Sequence, residues 1–254
     1  MGDIPESHPR RESLLSRQKL VDAASKGMLA ESALIAHGRG EAFDYLLGEK
    51  TCDSARLAIT ETAYRLLNSE KCVISVNGNT VALAGPQLIA CAAVLNCPIE
   101  VNIYYRTPKR MEVLLSTLME QQQLALKLYP QIKNKITEVE ILGGSPDSRI
   151  PNLEGPRARC HSEGIISADT ILVPLEDGDR CEALIAMGKT VCVIDLNPLS
   201  RTAQMATVTI VDELTRCVPI LLETLMQNSV KSLRWNNKEN LENVIQEILR
   251  NFNN

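Results

Sequence analysis

The 254-residue sequence has few aromatic residues, only three histidines and no block of basic residues. Phe, Trp and Tyr make up 3% of the chain, so its core must be built from Leu, Ile, Val and Ala. The formal net charge is −4. A protein that binds nucleic acid needs a basic face to replace the counterions of the phosphate backbone, so this composition argues against a nucleic-acid partner.

Segments for membrane insertion or secretion are also lacking. We find no run of about 18 apolar residues, the length that a membrane-spanning helix needs. The N-terminal sequence MGDIPESHPRRESLL lacks the apolar region of a signal peptide. We therefore expect a cytoplasmic protein with no membrane partner.

The cysteines and histidines show no metal-binding pattern. The eight cysteines form no CxxC pair, and no His/Cys cluster has the spacing of zinc ligands. Cys72 and Cys192 lie in apolar, strand-like runs, where a free cysteine packs as a small hydrophobe. We predict reduced structural thiols and assign no residue as a metal ligand.

What the sequence does contain is an alternation of strand-like and helical segments. Strand-like runs occur at Cys72–Val76, Ile99–Tyr104, Glu138–Leu142, Thr170–Leu175, Val191–Asp195 and Thr207–Val211. Several are almost continuously apolar, as expected for parallel strands covered on both faces. Apolar stripes with helical spacing lie between them. The pattern predicts an α/β protein with a Rossmann-like, mostly parallel, doubly wound sheet.

We divide the chain into three segments. Residues 1–70 are predicted to form a helical N-terminal region packed on the sheet, and residues 71–226 a Rossmann-like α/β core that binds nucleotide and substrate. Residues 227–254 are predicted to form a polar linker and an amphipathic C-terminal helix. Within the core, residues 143–164 are rich in Gly, Pro, Ser and Arg, and such long loops are usually functional or mobile.

Residues 170–195 have the pattern of a βαβ unit with acidic residues after each strand. Asp179 is expected to N-cap the helix, with Glu182 at the third helical position. Asp177 and Asp195 are expected at the carboxyl edge of the sheet, where open α/β sheets bind ligands. Asp195 can then accept hydrogen bonds from a ribose, and the acidic loop can hold Mg²⁺. The simpler alternative is that Asp179 only caps its helix.

Arginines supply the candidate phosphate contacts. Arg39 lies between Gly38 and Gly40, which let a ligand approach the backbone. Arg17 falls on an apolar helix stripe, where a guanidinium must find an anion or point towards water. A Glu or Asp partner, or an exposed position, is the alternative for Arg17.

Two polar turns follow strands. Residues 77–80 (NGNT) lead into a helical run, and the backbone N–H groups at such a junction form an anion site. Residues 102–107 (NIYYRT) end another strand and contain Arg106. Ordinary turn and cap chemistry is the alternative for both. His37 is interpreted more readily as a structural residue beside a glycine turn than as a general base.

Five segments carry a resemblance to a known family. They are IPESHPRRESLLSRQKLV, IAHGRGEAFDYLLGEKT, VISVNGNTVAL, VPLEDGDRCEAL and IDLNPLSRTAQMATVTIVD, in this order. Together they resemble the archaeal 4-phosphopantoate–β-alanine ligases, also called phosphopantothenate synthetases. The motifs are long and unusual, and the resemblance spans residues 4 to about 225, leaving the tail from about residue 230 outside it.

The resemblance implies a homodimeric enzyme of coenzyme A biosynthesis. It implies condensation of 4-phosphopantoate with β-alanine to 4′-phosphopantothenate, with ATP converted to AMP and diphosphate through an acyl adenylate. Such chemistry needs no protein nucleophile, because positioning and charge stabilisation dominate it. This agrees with the lack of a convincing Ser–His–Asp or Cys–His arrangement in the sequence. Mg²⁺ would screen the charges of ATP and of the diphosphate.

The resemblance and the residues together give a predicted site. The predicted ATP-binding residues are Arg17, Arg39, Asp177, Gly178, Asp179, Arg180, Asp195, Leu196, Asn197 and Ser200. Among them, Arg17, Arg39 and Arg180 are the predicted catalytic cations, and Arg201 is expected near the phosphates or in the support of its loop. We infer the binding of 4-phosphopantoate by Asn77, Asn79, Thr80 and Arg106 from their positions rather than from a motif.

Two other functions stay open at this point. One is a nucleotide-binding α/β protein without ligase turnover. The other is a nicotinamide-dependent oxidoreductase, although the sequence has no GxGxxG motif. A P-loop kinase is disfavoured because GxxxxGK[ST] is absent.

Overall fold

The computed structural model describes residues 4–253 and contains a six-stranded parallel sheet. Its strands are β1 (Cys72–Val76), β2 (Ile99–Val101), β3 (Ile141–Leu142), β6 (Thr170–Pro174), β7 (Thr190–Ile194) and β8 (Val208–Ile210). A separate antiparallel pair consists of β4 (Ser148–Arg149) and β5 (Arg159–Cys160). The order in the sheet is β3-β2-β1-β6-β7-β8, which confirms the predicted doubly wound fold.

The described helices lie between the strands and at both ends of the chain. They are α1 (Arg11–Ser25), α2 (Glu31–Leu46), α3 (Asp53–Leu67), α4 (Gly78–Leu95), α5 (Pro108–Leu128), α6 (Lys133–Thr137), α7 (Gly178–Ala186), α8 (Arg201–Met205), α9 (Leu214–Gln227) and α10 (Asn237–Asn253). From residue 4 to β1 the chain is therefore mostly helical, as its sequence predicted. The division into three segments stays a prediction.

Alternate residues of the central strands enter two separate hydrophobic cores. Ile74 and Leu172 face the larger core, which α1, α3, α4, α5, α9 and α10 cover. Val73, Ile171 and Val191 face the smaller core, which includes α7 and residues of the segment between β4 and β6. Because both faces are covered, the strands are mostly apolar, with buried polar exceptions such as Ser75 and Glu100. The eight cysteines are all buried.

The sheet has its topological switch point between β1 and β6. The chain leaves β1 through α4 towards β2, whereas it leaves β6 through α7 towards β7, in the opposite direction along the sheet. The N-termini of α4 and α7 therefore meet at one crevice above the carboxyl ends of these strands. Ligands of open α/β sheets bind at this position.

Helix α4 begins with a complete capping box. The Asn77 side chain accepts a hydrogen bond from the Thr80 backbone N–H at 3.2 Å, and the Thr80 hydroxyl accepts one from the Asn77 N–H at 2.7 Å. Farther along, Pro86 cannot donate a backbone hydrogen bond, and the helix is irregular at Ala84. Contrary to the sequence-based expectation, α4 is long and apolar enough to cross a membrane, but it is a core helix, with 72% of its 18 residues buried in the protein.

Several local predictions were wrong. Asp177, not Asp179, occupies the N-cap position of α7, and its side chain makes no capping hydrogen bond. Gly38 and Gly40 lie inside α2 rather than in a turn. Residues 143–164 are not a structureless loop, because they contain β4, β5 and short helical turns. Five of the six predicted strands of the parallel sheet extended one to three residues beyond an observed end, whereas β1 has the predicted bounds.

The face of α1 was also assigned incorrectly. Ser16, Leu20 and Ala23 are its buried residues, and they define the face that packs on the protein. Arg17 lies on another face with 44% of its side chain exposed, and its Nε donates to Glu41 at 2.7 Å. Arg17 therefore pairs with an acidic residue, Glu41, which was the alternative interpretation of the sequence.

The C-terminal segment covers the edge strand β8. The Trp235 indole N–H donates to the Thr207 carbonyl at 2.9 Å, and the Asn237 side chain accepts from the Thr209 backbone N–H at 2.8 Å. These bonds satisfy backbone groups that an edge strand would otherwise expose. The linker before α10 is consequently attached to the sheet.

Truncation of a core residue on α5 gives a test of this packing. Leu118 is fully buried where α5 packs against α4, so Leu118→Ala should lower the free energy of unfolding by about 2–5 kcal/mol. The matched control is Leu124→Ala on the same helix, where the side chain is exposed and the change should stay within about 0.5 kcal/mol. Urea denaturation followed by circular dichroism measures both. Equal effects of the two substitutions would contradict the packing.

Candidate active site

A cleft of about 820 Å³ opens above the switch point. Its floor consists of the residues that follow β1, β6 and β7, namely 77–79, 175–178, 195–197 and 200–202. Helix α2 and the turn before it cover one side, and residues 103–105 lie at another. Arg110 and Arg157 also line the cleft. It is large enough for a drug-sized or nucleotide-sized ligand.

The two strands at the switch point are tied together by Asn77. Its side-chain amide donates to the Leu175 carbonyl at 2.8 Å, while its oxygen caps α4. Leu175 has a φ of 55°, in the left-handed region that non-glycine residues seldom adopt. Such a conformation persists when the surrounding contacts hold it, so Asn77 helps to fix the start of the loop after β6.

Glu176 is a buried carboxylate between two guanidinium groups. Its side chain is 3% exposed and pairs with Arg180 below and Arg157 above. Burial alone would raise the pKa of Glu176, but the charges of Arg180 and Arg157 outweigh it and hold this pKa below its ordinary value. Arg180 also donates to the Ser75 hydroxyl at 3.1 Å, which joins α7 to β1. The floor of the cleft is therefore built on a fixed ion-pair cluster.

Asp177 is the carboxylate of this loop that reaches the cleft. It lies 2.9 Å from the Arg157 guanidinium and is more than half exposed. Partial burial of the carboxyl, together with the charges of Glu176 and Asp179, raises the pKa of Asp177 above its ordinary value, although Arg157 acts in the opposite direction. Gly178 follows, and a Cβ there would lie 2.7 Å from the Arg201 side chain, so glycine lets Arg201 cross the start of α7.

The stretch VCVIDLNPLSRTA (191–203) forms β7 and a loop organised by Asp195. One carboxylate oxygen of Asp195 accepts from the Asn197 backbone N–H at 2.9 Å, and the other accepts from the Ser200 hydroxyl at 2.6 Å. Ser200 in turn accepts from the Ala203 N–H at 3.0 Å and caps α8. Burial raises the pKa of Asp195. Each oxygen keeps a second lone pair that can face a ligand.

Helix α2 approaches this loop closely because of a glycine. A Cβ on Gly40 would lie 3.0 Å from the Cβ of Leu196, so a larger residue would push the helix away. The contact brings Arg39 and His37 to the cleft wall. Burial lowers the pKa of His37, which favours its neutral form, and its buried Nδ1 has no hydrogen-bond partner among the described residues.

The structure brings together nine of the fourteen predicted site residues. Those that line the cleft are Arg39, Asn77, Asn79, Asp177, Gly178, Asp195, Leu196, Asn197 and Ser200. Those that do not are Arg17, Thr80, Arg106, Asp179 and Arg180. Thr80 is buried in the capping box, Arg106 donates to the Gly143 carbonyl, and Arg180 lies beneath the floor with Glu176. The ligand contacts of all fourteen stay predictions.

Sequence reasoning missed several side chains of the cleft. Arg110 belongs to the first turn of α5, where its Nη1 donates to the Tyr105 carbonyl at 2.8 Å. Tyr104 and Tyr105 make an edge-to-face pair with ring centroids 5.0 Å apart. Arg157 comes from the segment 143–164, whose length and composition were the only signal for it. Among residues 4–253, no group of three or more His, Cys, Asp and Glu residues is placed to hold a metal ion.

The fold and the cleft define a doubly wound α/β protein with a guanidinium-lined ligand site at its switch point. The chain belongs to the phosphopantothenate/pantothenate synthetase family, whose family model matches residues 54–254. The match includes the C-terminal tail, which the sequence-based resemblance had wrongly left outside.

Several archaeal relatives carry the name 4-phosphopantoate–β-alanine ligase, among them three proteins from different organisms. The protein from Thermococcus kodakarensis is 47% identical over 223 residues, which cover 88% of this chain and 80% of the relative. The Methanospirillum hungatei protein is 46% identical over 215 residues, which cover 85% of this chain and 82% of the relative. The Methanosarcina mazei protein is 45% identical over 218 residues, which cover 86% of this chain and 80% of the relative.

Neutralising the buried carboxylate tests the ion-pair cluster. Glu176→Gln leaves the Arg180 cation buried without a carboxylate, so the free energy of unfolding should fall by about 3–5 kcal/mol at neutral pH. Because the folded-state pKa of Glu176 is lowered, its contribution is present above the ordinary value of 4.5 and is lost as pH falls through the folded value. The difference from the unmodified protein should therefore shrink in acid.

Glu182→Gln is the matched control, because Glu182 pairs with Arg201 on the exposed side of the same helix. Loss of an exposed pair should change stability by less than about 1 kcal/mol. Chemical denaturation of all three proteins across the acid range provides the measurement. A Glu176→Gln effect as small as that of the control would show that the cluster does not hold the floor.

Proposed function

We propose that the chain is a cytoplasmic, ATP-dependent ligase of coenzyme A biosynthesis. It joins 4-phosphopantoate to β-alanine and releases AMP and diphosphate. The observation that carries this proposal is a switch-point cleft lined by four arginines, Arg39, Arg110, Arg157 and Arg201. ATP and 4-phosphopantoate are polyanions and β-alanine adds a carboxylate, so the reaction needs such a cationic environment. The name and the 45–47% identity of the relatives support the same reaction.

The nucleotide is proposed to occupy the half of the cleft above β6 and β7. Asp195 lies at the end of β7, where a carboxylate accepts hydrogen bonds from a ribose. Arg39 lies across from it on α2 and has no ion-pair partner among the described residues, which leaves its guanidinium available for phosphates. Arg180 is proposed as a positioning residue that acts through Glu176 rather than as a phosphate contact.

Mg²⁺ is proposed to enter with ATP. This ion prefers phosphate oxygens, one or two carboxylates and water as ligands. Asp177 suits this role, because its exposed carboxylate lies at the mouth of the cleft beside the start of α7. The ion would neutralise charge on the nucleotide phosphates and on the diphosphate that leaves.

The reaction is proposed to proceed in two transfers. A carboxylate oxygen of 4-phosphopantoate attacks the α-phosphorus of ATP, and diphosphate leaves. The amine of β-alanine then attacks the carbonyl carbon of the acyl adenylate, AMP leaves, and the nitrogen loses a proton. The protein contributes orientation and charge stabilisation. His37, whose pKa is lowered by burial, is the neutral imidazole of the cleft that can accept this proton.

A homodimer is proposed as the functional assembly. Helix α2 carries exposed apolar side chains on its outer surface, with Ile35 68% exposed and Tyr45 61% exposed. We take these exposed apolar side chains as the candidate contact between two copies of the chain. The same helix forms the wall of the cleft, so a contact between copies at α2 would also hold Arg39 in place.

The direct test is product formation by the purified protein. With ATP, Mg²⁺, 4-phosphopantoate and β-alanine, we expect AMP, diphosphate and 4′-phosphopantothenate in equal amounts, measured by chromatography and mass spectrometry. Omission of either organic substrate should abolish steady-state AMP release. Nucleotide binding without AMP formation in the complete mixture would instead support a nucleotide-binding protein without ligase turnover.

Arg39→Ala tests the proposed phosphate contact. Loss of a charge-assisted hydrogen bond should lower kcat/KM for ATP by about 10- to 100-fold. The control is Arg56→Ala, which removes an exposed arginine of α3 that does not line the cleft. Steady-state kinetics with ATP varied gives the comparison. If both variants retain the kcat/KM of the unmodified protein, Arg39 does not contact ATP.

A further inference from the structure

Arg157 is a cleft arginine to which the proposed reaction assigns no particular group of the substrates. Its side chain is 14% exposed and lines the cleft, where it pairs with Glu176 and Asp177. It is carried by the segment between β4 and β5, outside every motif of the family resemblance. An arginine held at a ligand cleft at such a distance from the motifs needs a physical explanation.

The backbone at Arg157 is fixed from the opposite half of the sheet. The Asn102 side-chain amide donates to the Arg157 carbonyl at 3.1 Å and to the Arg159 carbonyl at 3.0 Å. Asn102 is buried and directly follows β2. The Ile150 N–H also donates to the Ala158 carbonyl at 2.7 Å. These contacts hold the backbone of Arg157 on the side of β2, and its guanidinium reaches Glu176 and Asp177 at the border of the proposed nucleotide half.

The charges around Arg157 leave it able to bind an anion. Arg180 alone matches the charge of Glu176, so Arg157 is a second cation on that carboxylate. Asp177 balances this second charge in the free protein, but its carboxylate is more than half exposed and can turn away from Arg157, as its proposed role beside Mg²⁺ also requires. The Arg157 Nε is buried and has no hydrogen-bond partner among the described residues. A guanidinium with a replaceable partner and an unused N–H is suited to a phosphoryl group.

We infer that Arg157 binds the phosphoryl group of the acid substrate and makes the cleft select the phosphorylated over the unphosphorylated acid. This inference rests on the proposed function. On binding, the phosphoryl dianion takes the place of Asp177 beside Arg157, while Glu176 keeps the guanidinium in position. The hydroxyl of pantoate carries no charge, so it cannot replace the Asp177 carboxylate in this exchange.

The test compares two acids, 4-phosphopantoate and pantoate, in the complete ligase assay. Arg157→Gln should lower kcat/KM for 4-phosphopantoate by about 10- to 100-fold, because a charge-assisted, two-point contact is lost. It should change kcat/KM for pantoate little, so the ratio of the two values falls. The KM for ATP should stay close to that of the unmodified protein. Arg157→Lys keeps the charge without the planar guanidinium. Its ratio of kcat/KM for 4-phosphopantoate to kcat/KM for pantoate should lie between the ratios of the unmodified protein and of Arg157→Gln.

Arg149→Gln is the matched control. Arg149 lies opposite Arg159 in the β4–β5 pair, is exposed and does not line the cleft. The Arg149→Gln variant should keep the preference of the unmodified protein for 4-phosphopantoate over pantoate. If Arg157→Gln does not fold, as judged by circular dichroism, the Arg157→Lys ratio decides the matter.

The outcomes separate this inference from the proposed function. If the unmodified protein forms no AMP with either acid, the proposed function is wrong. If it forms product but the ratio between the acids is the same in the Arg157 variants, the function stands and the inference is overturned. A rise in the KM for ATP with an unchanged ratio between the acids also overturns it, because Arg157 would then belong to the nucleotide half.

Discussion

The cleft depends on one buried carboxylate, Glu176, at the switch point of the sheet. It receives Arg180 from α7 and Arg157 from the segment between β4 and β5, two elements that no backbone hydrogen-bond ladder joins. A lone buried charge would be strongly destabilising, so the loop, the helix and the segment hold one another in place. Asn77 adds the remaining connection, from β1 to the same loop.

This rigidity suits a reaction that needs positioning more than covalent participation. An acyl transfer through an adenylate requires the acid, the α-phosphate and the amine to be held in line while negative charge builds up on phosphate oxygens. Arg39 on α2 is proposed to stabilise charge on the nucleotide phosphates, and Arg157 on the other side of the cleft is proposed to hold the phosphoryl group of the acid. Asp195, held by Asn197 and Ser200, supplies a fixed acceptor between the sheet and α8.

The sequence predicted the parts of this architecture that depend on local pattern. Apolar runs such as 72–76 predicted the buried strands. The polar residues after these runs, including Asp195, predicted the edge of the sheet at which the cleft lies. Contacts between distant residues were not predictable. Arg17 pairs with Glu41 of another helix, and Arg157 reaches Glu176 from a segment with no helical or strand periodicity. Asp179 was misassigned because capping preference alone does not reveal that α7 begins one residue after Asp177.

A crystal structure with a stable analogue of the acyl adenylate, in which a sulfamate replaces the phosphate ester, tests the central claim most directly. Our account predicts the adenosine beside Asp195 and the phosphoryl group of the acid portion within hydrogen-bonding distance of Arg157. An analogue bound outside the switch-point cleft, or bound with these two ends exchanged, would contradict it.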